Sequence, residues 1–125
     1  MARKWTDKEG PVQRDTVTYL RQILPGAVVH HSPGEFGMSG QAVARQIAKN
    51  KANGMLPGFP DIIVLWSGHT LAVEVKAEGN GLTPAQKALR EEIEAQGVPY
   101  AVVRSRADVD EFLSDLGIPF RGSIS

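Results

Sequence analysis

The chain contains no cysteine. Disulfides and thiolate metal sites are therefore excluded, and an intracellular setting is the simpler expectation. No apolar run approaches the roughly 20 residues needed to span a bilayer. The opening residues, MARKWTDKEG, hold no apolar core of the kind that marks a secretory signal. A cytoplasmic protein with no membrane partner is expected. Net charge is absent as well, because 14 Lys and Arg balance 14 Asp and Glu. Nothing draws the whole molecule toward nucleic acid, yet the charge is unevenly spread. Residues 1–60 hold eight basic and four acidic residues, whereas residues 61–125 hold six and ten. A basic half can form a local phosphate-binding face on a neutral protein; scatter over solvated surfaces accounts for the count equally well.

What is present is an ordinary globular composition, 42% hydrophobic and 22% charged over 125 residues. That length suits one domain, residues 1–125, and is too short for two. Along the chain, PVQRDTVTYLRQIL (11–24) places Val12, Thr16, Tyr19, Leu20 and Ile23 at helical spacing, with Pro11 in the first turn. AVVHH (27–31) reads as a strand and SPGEFGMSG (32–40) as a loop. A second helix follows through QAVARQIAKNKA, with Arg45, Lys49 and Lys51 on its outer side. DIIVLW and TLAVEV read as two strands, whose near-continuous apolar character implies cover on both faces. Thr83 then caps a helix with Ala85, Leu89 and Ile93 inward, PYAVV (99–103) forms another strand, and Ser105 opens a last helix with Val109, Phe112, Leu113 and Leu116 inward. The order α-β-α-β-β-α-β-α predicts a single α/β layered domain, a central sheet flanked by helices.

Three charges interrupt the two apolar strands: Asp61, Glu74 and Lys76. Glu74 and Lys76 are two apart in a strand, so they leave on the same face. A hairpin turning around Gly68-His69 places Asp61 opposite Lys76 and residue 63 opposite Glu74. Opposed residues share a face, so the three converge at one end, with a diagonal of about 7–8 Å from Asp61 to Glu74. Two convergent carboxylates form a hard oxygen site suited to Mg²⁺ or Mn²⁺ rather than Zn²⁺, and Val75 offers a backbone carbonyl between them. A neighbouring lysine can hold or deprotonate an attacking water, or stabilise charge on a phosphate. The constellation suits metal-assisted hydrolysis of a phosphodiester. The plainer alternative is a cross-strand salt bridge from Lys76 to Asp61 or Glu74, which contributes little when exposed.

The surroundings of the pair add a family resemblance. Gly58, Pro60 and Asp61 before an apolar strand, then Glu74-Val75-Lys76, then Leu82-Thr83-Pro84 and Gln86 opening a helix, resemble the virus-type replication-repair nuclease (VRR-NUC) domain. The following GVPYAVVRS also fits, so the motif core covers residues 54–105. That family belongs to the PD-(D/E)xK nuclease superfamily, and the resemblance implies a restriction-endonuclease-like fold with a mixed sheet. It implies that Asp61 and Glu74 are metal ligands, that Val75 supplies a carbonyl ligand and that Lys76 is the catalytic lysine. Gln86 matches a glutamine near the family's active site, although Thr83-Pro84-Ala85-Gln86 also fits a capping box. A family glutamate on the first helix, four residues before a glutamine, matches Glu9 and Gln13, with Gly10-Pro11 departing from the usual helical lead-in. Thr6 and Glu9 can instead form a capping box of their own, and Asp15 and Glu35 are further candidates for the acidic position.

Adjacent strand residues point to opposite faces, so His30 and His31 do not chelate one ion, and surface or DNA-contact roles suit them better. Arg45, Lys49 and Lys51 recur at helical spacing and form either a solvated face or a phosphate-contacting one. The resemblance implies a Mg²⁺- or Mn²⁺-dependent DNA endonuclease of a phage or prophage, acting on branched DNA such as Holliday junctions as a homodimer. The competing expectation is a module that keeps the fold and binds nucleic acid without cutting it.

Overall fold

The computed structural model describes residues 8–32, 45, 49, 52–54 and 56–122. Among them the elements run α1 (Gly10–Ile23), β1 (Val28–His31), β2 (Ile62–Trp66), β3 (His69–Val75), α2 (Pro84–Ala95), β4 (Tyr100–Val103) and α3 (Arg106–Asp115). The expected helix through residues 41–52 falls largely outside the described residues, although Arg45, Lys49 and Ala52 are helical. Lys51, Glu35 and Thr6 also lie outside them.

The four strands form one sheet in the order β1-β2-β3-β4. β1 with β2 and β2 with β3 are antiparallel, and β3 with β4 is parallel. The sheet is therefore mixed, as expected. A parallel step requires a crossover connection, and α2 lies within it. One face of the sheet carries the main core: Ile62, Val64, Leu71, Val73, Val75 and Val103 pack with Leu20, Ile23 and Leu24 from α1 and with Val109 and Leu113 from α3. Each fully buried branched side chain is worth roughly 1.5–3 kcal/mol, which makes this face the anchor of the fold. Polar contacts tie the two covering helices together. The Tyr19 hydroxyl donates to Asp110 Oδ1 at 2.6 Å, and Arg106 pairs with Asp15 at 2.7 Å.

Two expectations about inner faces need correction. On α2 only Leu89 is buried, while Ala85 is exposed and Ile93 half-buried. On α3, Leu116 is exposed rather than inward. The α2 helix covers the sheet face opposite the main core, where Glu74 and Tyr100 stand among Ile63, Ala72 and Val102.

The hairpin register also differs from expectation. The β2–β3 connection is the two-residue turn Ser67-Gly68, with φ of 45° and 82°, and His69 already belongs to β3. Positive φ at both turn residues matches the twist of paired strands, as in a type I′ turn. Ile62 consequently opposes Val73. Continuing that register places Asp61 opposite Glu74, not opposite Lys76. A shift of two residues keeps every side chain on its face, so the convergence survives the correction.

Candidate active site

Asp61 sits just before β2 and Glu74 near the end of β3, and they are tied reciprocally. The Asp61 backbone N–H donates to Glu74 Oε2 at 3.1 Å, and the Val75 N–H donates to Asp61 Oδ2 at 2.9 Å. Glu74 is only 2% exposed, so the acidic pair faces little water on its inner side. Burial, then the negative charge of Asp61, pushes the Glu74 carboxyl up from 4.5 to about 8, while Lys76 pulls it down. Two carboxylates this close resist simultaneous ionisation unless positive charge arrives. Their hard oxygen donors fit Mg²⁺ or Mn²⁺, so the residues present suit the cation that the motif implies.

The Gln86 carboxamide completes the first arrangement. Its Nε2 donates to Glu74 Oε1 at 2.8 Å. Its Oε1 accepts from the Thr83 N–H at 2.9 Å, and its own backbone N–H donates to Thr83 Oγ1 at 3.2 Å. The Gln86 side chain therefore closes the capping box and reaches Glu74 at once. The box fixes which way the amide faces, because its oxygen is committed to the helix start and only its nitrogen is left for Glu74.

Gly58 explains how this helix start comes so near. At φ +78°, it lies against the first turn of α2, and a β-carbon there would stand 2.8 Å from Ala85 C, Ala85 O and Gln86 N. Pro60 is fully buried behind it. In Gly58-x-Pro60-Asp61, then, glycine permits the close approach and proline packs, and Asp61 is delivered to Glu74.

Lys76 is 7% exposed and follows Glu74 along the same face. Its backbone N–H donates to Val103 O at 3.0 Å. Among the described residues the ion pairs are Arg90–Glu94 and Arg106–Asp15. The cross-strand salt bridge considered from sequence is not formed. Its ammonium is in no ion pair, yet its positive charge favours the ionised form of Glu74.

The remaining candidates are dispersed. Val75 is fully buried and contributes its N–H to Asp61. Glu9 is the N-cap of α1, with its carbonyl accepting from the Gln13 N–H at 2.8 Å. No group of three or more His, Asp or Glu that could hold a metal occurs among the described residues, so Glu9 does not form such a cluster with Asp61 and Glu74. Asp15 is engaged by Arg106, which holds its carboxyl below the usual range, first by hydrogen bonding. His30 opposes Ile63 and His31 opposes Ile62, so the two histidines do point to opposite faces. Arg45 and Lys49 are exposed.

Sequence reasoning missed Tyr100. It is 6% exposed, it opposes Ala72 on the Glu74 side of the sheet, and its hydroxyl has no partner. Burial, then the charge of Glu74, raises its pKa above the ordinary range. The Arg90 guanidinium stands 4.9 Å from its ring centroid. Strand parity could have placed Tyr100 on one of two faces, but only the parallel register with β3 decides which.

Comparison with known proteins agrees with this fold. Residues 8–107 match the model of the VRR-NUC domain. A solved structure described as "VRR_NUC domain protein" is 26% identical with a TM-score of 0.64, covering 90% of this chain and 89% of that one. Another, described as "VRR_NUC domain", is 26% identical with a TM-score of 0.56, covering 87% of this chain and 97% of that one. No curated protein matches the chain. With the family model matched over well more than half of its length, and its mixed sheet shared with solved relatives, the chain belongs to the VRR-NUC domain family, whose function is of nuclease type.

Proposed function

We propose that the protein is a divalent-metal-dependent endonuclease that hydrolyses phosphodiester bonds in DNA. The observation that carries this reading is the pair of buried Glu74 and half-buried Asp61, tied through backbone N–H groups, with Lys76 beside it on the same face and in no ion pair. Asp61 and Glu74 would hold a Mg²⁺ or Mn²⁺ ion, with the Val75 carbonyl as a further oxygen donor. A cation held there supplies the Lewis-acid charge that a phosphodiester under attack requires. Gln86 holds Glu74 through Oε1 and so limits the directions in which its carboxylate presents. Lys76 orients the attacking water and offsets negative charge developing on the phosphate. Water adds to phosphorus, the P–O bond on the leaving side breaks, and the departing oxygen takes a proton.

The finer reading is a structure-selective enzyme acting on branched DNA as a homodimer, since a four-way junction needs two matched cuts. A phage- or prophage-encoded protein working in the cytoplasm of a bacterial host fits that role. The test uses junction, flap and linear duplex substrates with Mg²⁺ or Mn²⁺. Wild type is expected to cut at least one of them, whereas Asp61→Ala and Lys76→Ala are expected to lose activity by about 100-fold or more. Cleavage undiminished in both variants would refute the mechanism. Junction binding without cleavage or Mn²⁺ binding would instead identify a non-cleaving DNA-binding module.

A further inference from the structure

Away from the carboxylate pair, a groove of about 460 Å³ runs between α1 and β1. Gly10, Gln13, Arg14, Thr18, Arg21 and His31 line it, and among the described residues no acidic side chain does. Arg14, Thr18 and Arg21 recur at intervals of four and three, so they form one stripe along the helix. At 1.5 Å rise per residue the two arginines are about 10 Å apart, a span that more than one phosphate can occupy. Arg14 is exposed and in no ion pair. Arg21 reaches across toward β1, its NH2 donating to Val29 O at 3.4 Å. The acid nearest in sequence, Asp15, is turned to α3 and engaged by Arg106 at 2.7 Å.

His31 supplies an independent observation. Its Nε2 is sealed from solvent and has no hydrogen-bond partner. An unsatisfied buried polar atom is unfavourable, and a ligand that accepts from it relieves that cost. In the tautomer protonated at Nε2 this atom is a donor, like every charged group lining the groove. The position is also informative. His31 opposes Ile62, the neighbour of Asp61, and the Ser32 N–H donates to the Asp61 carbonyl at 2.8 Å. β1 is an outer strand of the sheet, so the groove begins at the Asp61 end and lies around that edge.

We infer that this groove binds the sugar–phosphate backbone of the DNA strand leading away from the carboxylate pair, with Arg14 and Arg21 on phosphates and His31 donating at the end nearest Asp61. The inference rests on the nuclease reading and extends it, because it assigns the path of the substrate on the opposite side of the sheet. Direct phosphate contacts contribute a measurable salt dependence, close to 0.9 in the slope of log affinity against log salt for each contact on duplex DNA.

The test is fluorescence anisotropy of labelled junction, duplex and single-stranded DNA in EDTA, over a series of salt concentrations. Arg14→Gln/Arg21→Gln is expected to weaken binding by roughly 10-fold or more at low salt and to lower the slope by about two. Arg14→Lys is expected to keep most of the slope. Arg121→Gln removes one positive charge from an exposed site outside the groove and is expected to change the slope by far less than the roughly 0.9 expected of one phosphate contact. His31→Phe is expected to weaken binding several-fold with the slope unchanged, because a neutral donor is lost. Circular dichroism melts confirm that each variant is folded. If wild type binds and cuts DNA but the double variant keeps its affinity and slope, or Arg121→Gln matches its loss, the groove is not the strand path and the nuclease reading stands. If wild type neither binds nor cuts any of these DNAs, the nuclease reading fails and the groove assignment fails with it.

Discussion

Gly58→Ala puts the assembly of the site to its most direct test. The added methyl would stand 2.8 Å from three backbone atoms of the first turn of α2, none of which can rotate away. Carbon atoms pack best at about 3.5–4.0 Å, so loop and helix must part by on the order of 0.5–1 Å. The backbone adds its own penalty, because φ of +78° costs an L-residue roughly 1–2 kcal/mol. Overpacking of this kind costs about 1–3 kcal/mol more. The expected loss is therefore about 2–5 kcal/mol, read from the urea midpoint at unchanged slope, against a typical domain stability of about 5–15 kcal/mol. Activity should suffer separately. The clash falls on Gln86 N, and the Gln86 bond to Glu74 is 2.8 Å long, so parting the helix from the loop breaks it. A misplacement of that size is expected to lower kcat by about 10- to 100-fold with little change in the far-ultraviolet circular dichroism spectrum. A variant within about 0.5 kcal/mol of wild type and with undiminished cleavage would overturn the proposed role of the glycine.

Other perturbations follow from the same geometry. Glu74 titrates near 8 when folded against 4.5 when unfolded, so its protonated form favours the fold. That contribution is fully present below pH 4.5, declines as pH rises, and is gone above about 8. The full difference corresponds to at most about 5 kcal/mol; water and ions reaching the cleft reduce it to on the order of 2–3 kcal/mol. Chemical unfolding of metal-free protein should show this decline, Mg²⁺ or Mn²⁺ should offset it near pH 8, and Glu74→Gln should abolish it; parallel profiles for variant and wild type would refute the assignment. Lys76→Met keeps the apolar chain and removes an ammonium that is in no ion pair, so stability should change by less than about 1 kcal/mol while cleavage falls at least about 100-fold. A destabilised Lys76→Met would show that the lysine serves the fold. Ser67→Asn places a residue suited to positive φ in the Ser67-Gly68 turn and should stabilise by about 0.5 kcal/mol, measured by thermal melting with activity unchanged.

Strand parity carried the reading of the site from sequence because it does not depend on turn details. Asp61, Glu74 and Lys76 share a face whether the turn is Gly68-His69 or Ser67-Gly68, so the wrong register still brought the same groups together. What parity could not give was the partner of each residue. A serine at φ of 45° is not an expected turn residue, and the extra glycine-histidine reach misplaced Lys76 opposite Asp61. Helical spacing located α2 and α3 but overstated their inner faces. Ala85 and Leu116 have the right period, yet α2 meets a sheet face bearing Glu74 and Tyr100, which offers its apolar side chains little to bury against. The capping box was legible as Thr83-x-x-Gln86, whereas the second bond of Gln86, to Glu74, depends on a tertiary approach. Tyr100 and the groove beside His31 were invisible for the same reason: each exists only once strands distant in sequence lie side by side.

The shallow seat of α2 has a consequence for motion. With Leu89 as its one buried residue, this helix has the smallest apolar anchorage of the three, while β3 beneath it is sealed from Leu71 to Ala77. Local opening therefore costs least at α2, and its amide hydrogens should exchange with solvent before those of β2 and β3. Each such excursion would withdraw the Gln86 amide from Glu74 and leave the Asp61–Glu74 pair intact on the rigid hairpin. The nuclease thus keeps its acidic groups on a fixed platform and their amide restraint on a hinged cover, so hydrogen exchange at α2 should slow when Mn²⁺ and DNA occupy the site.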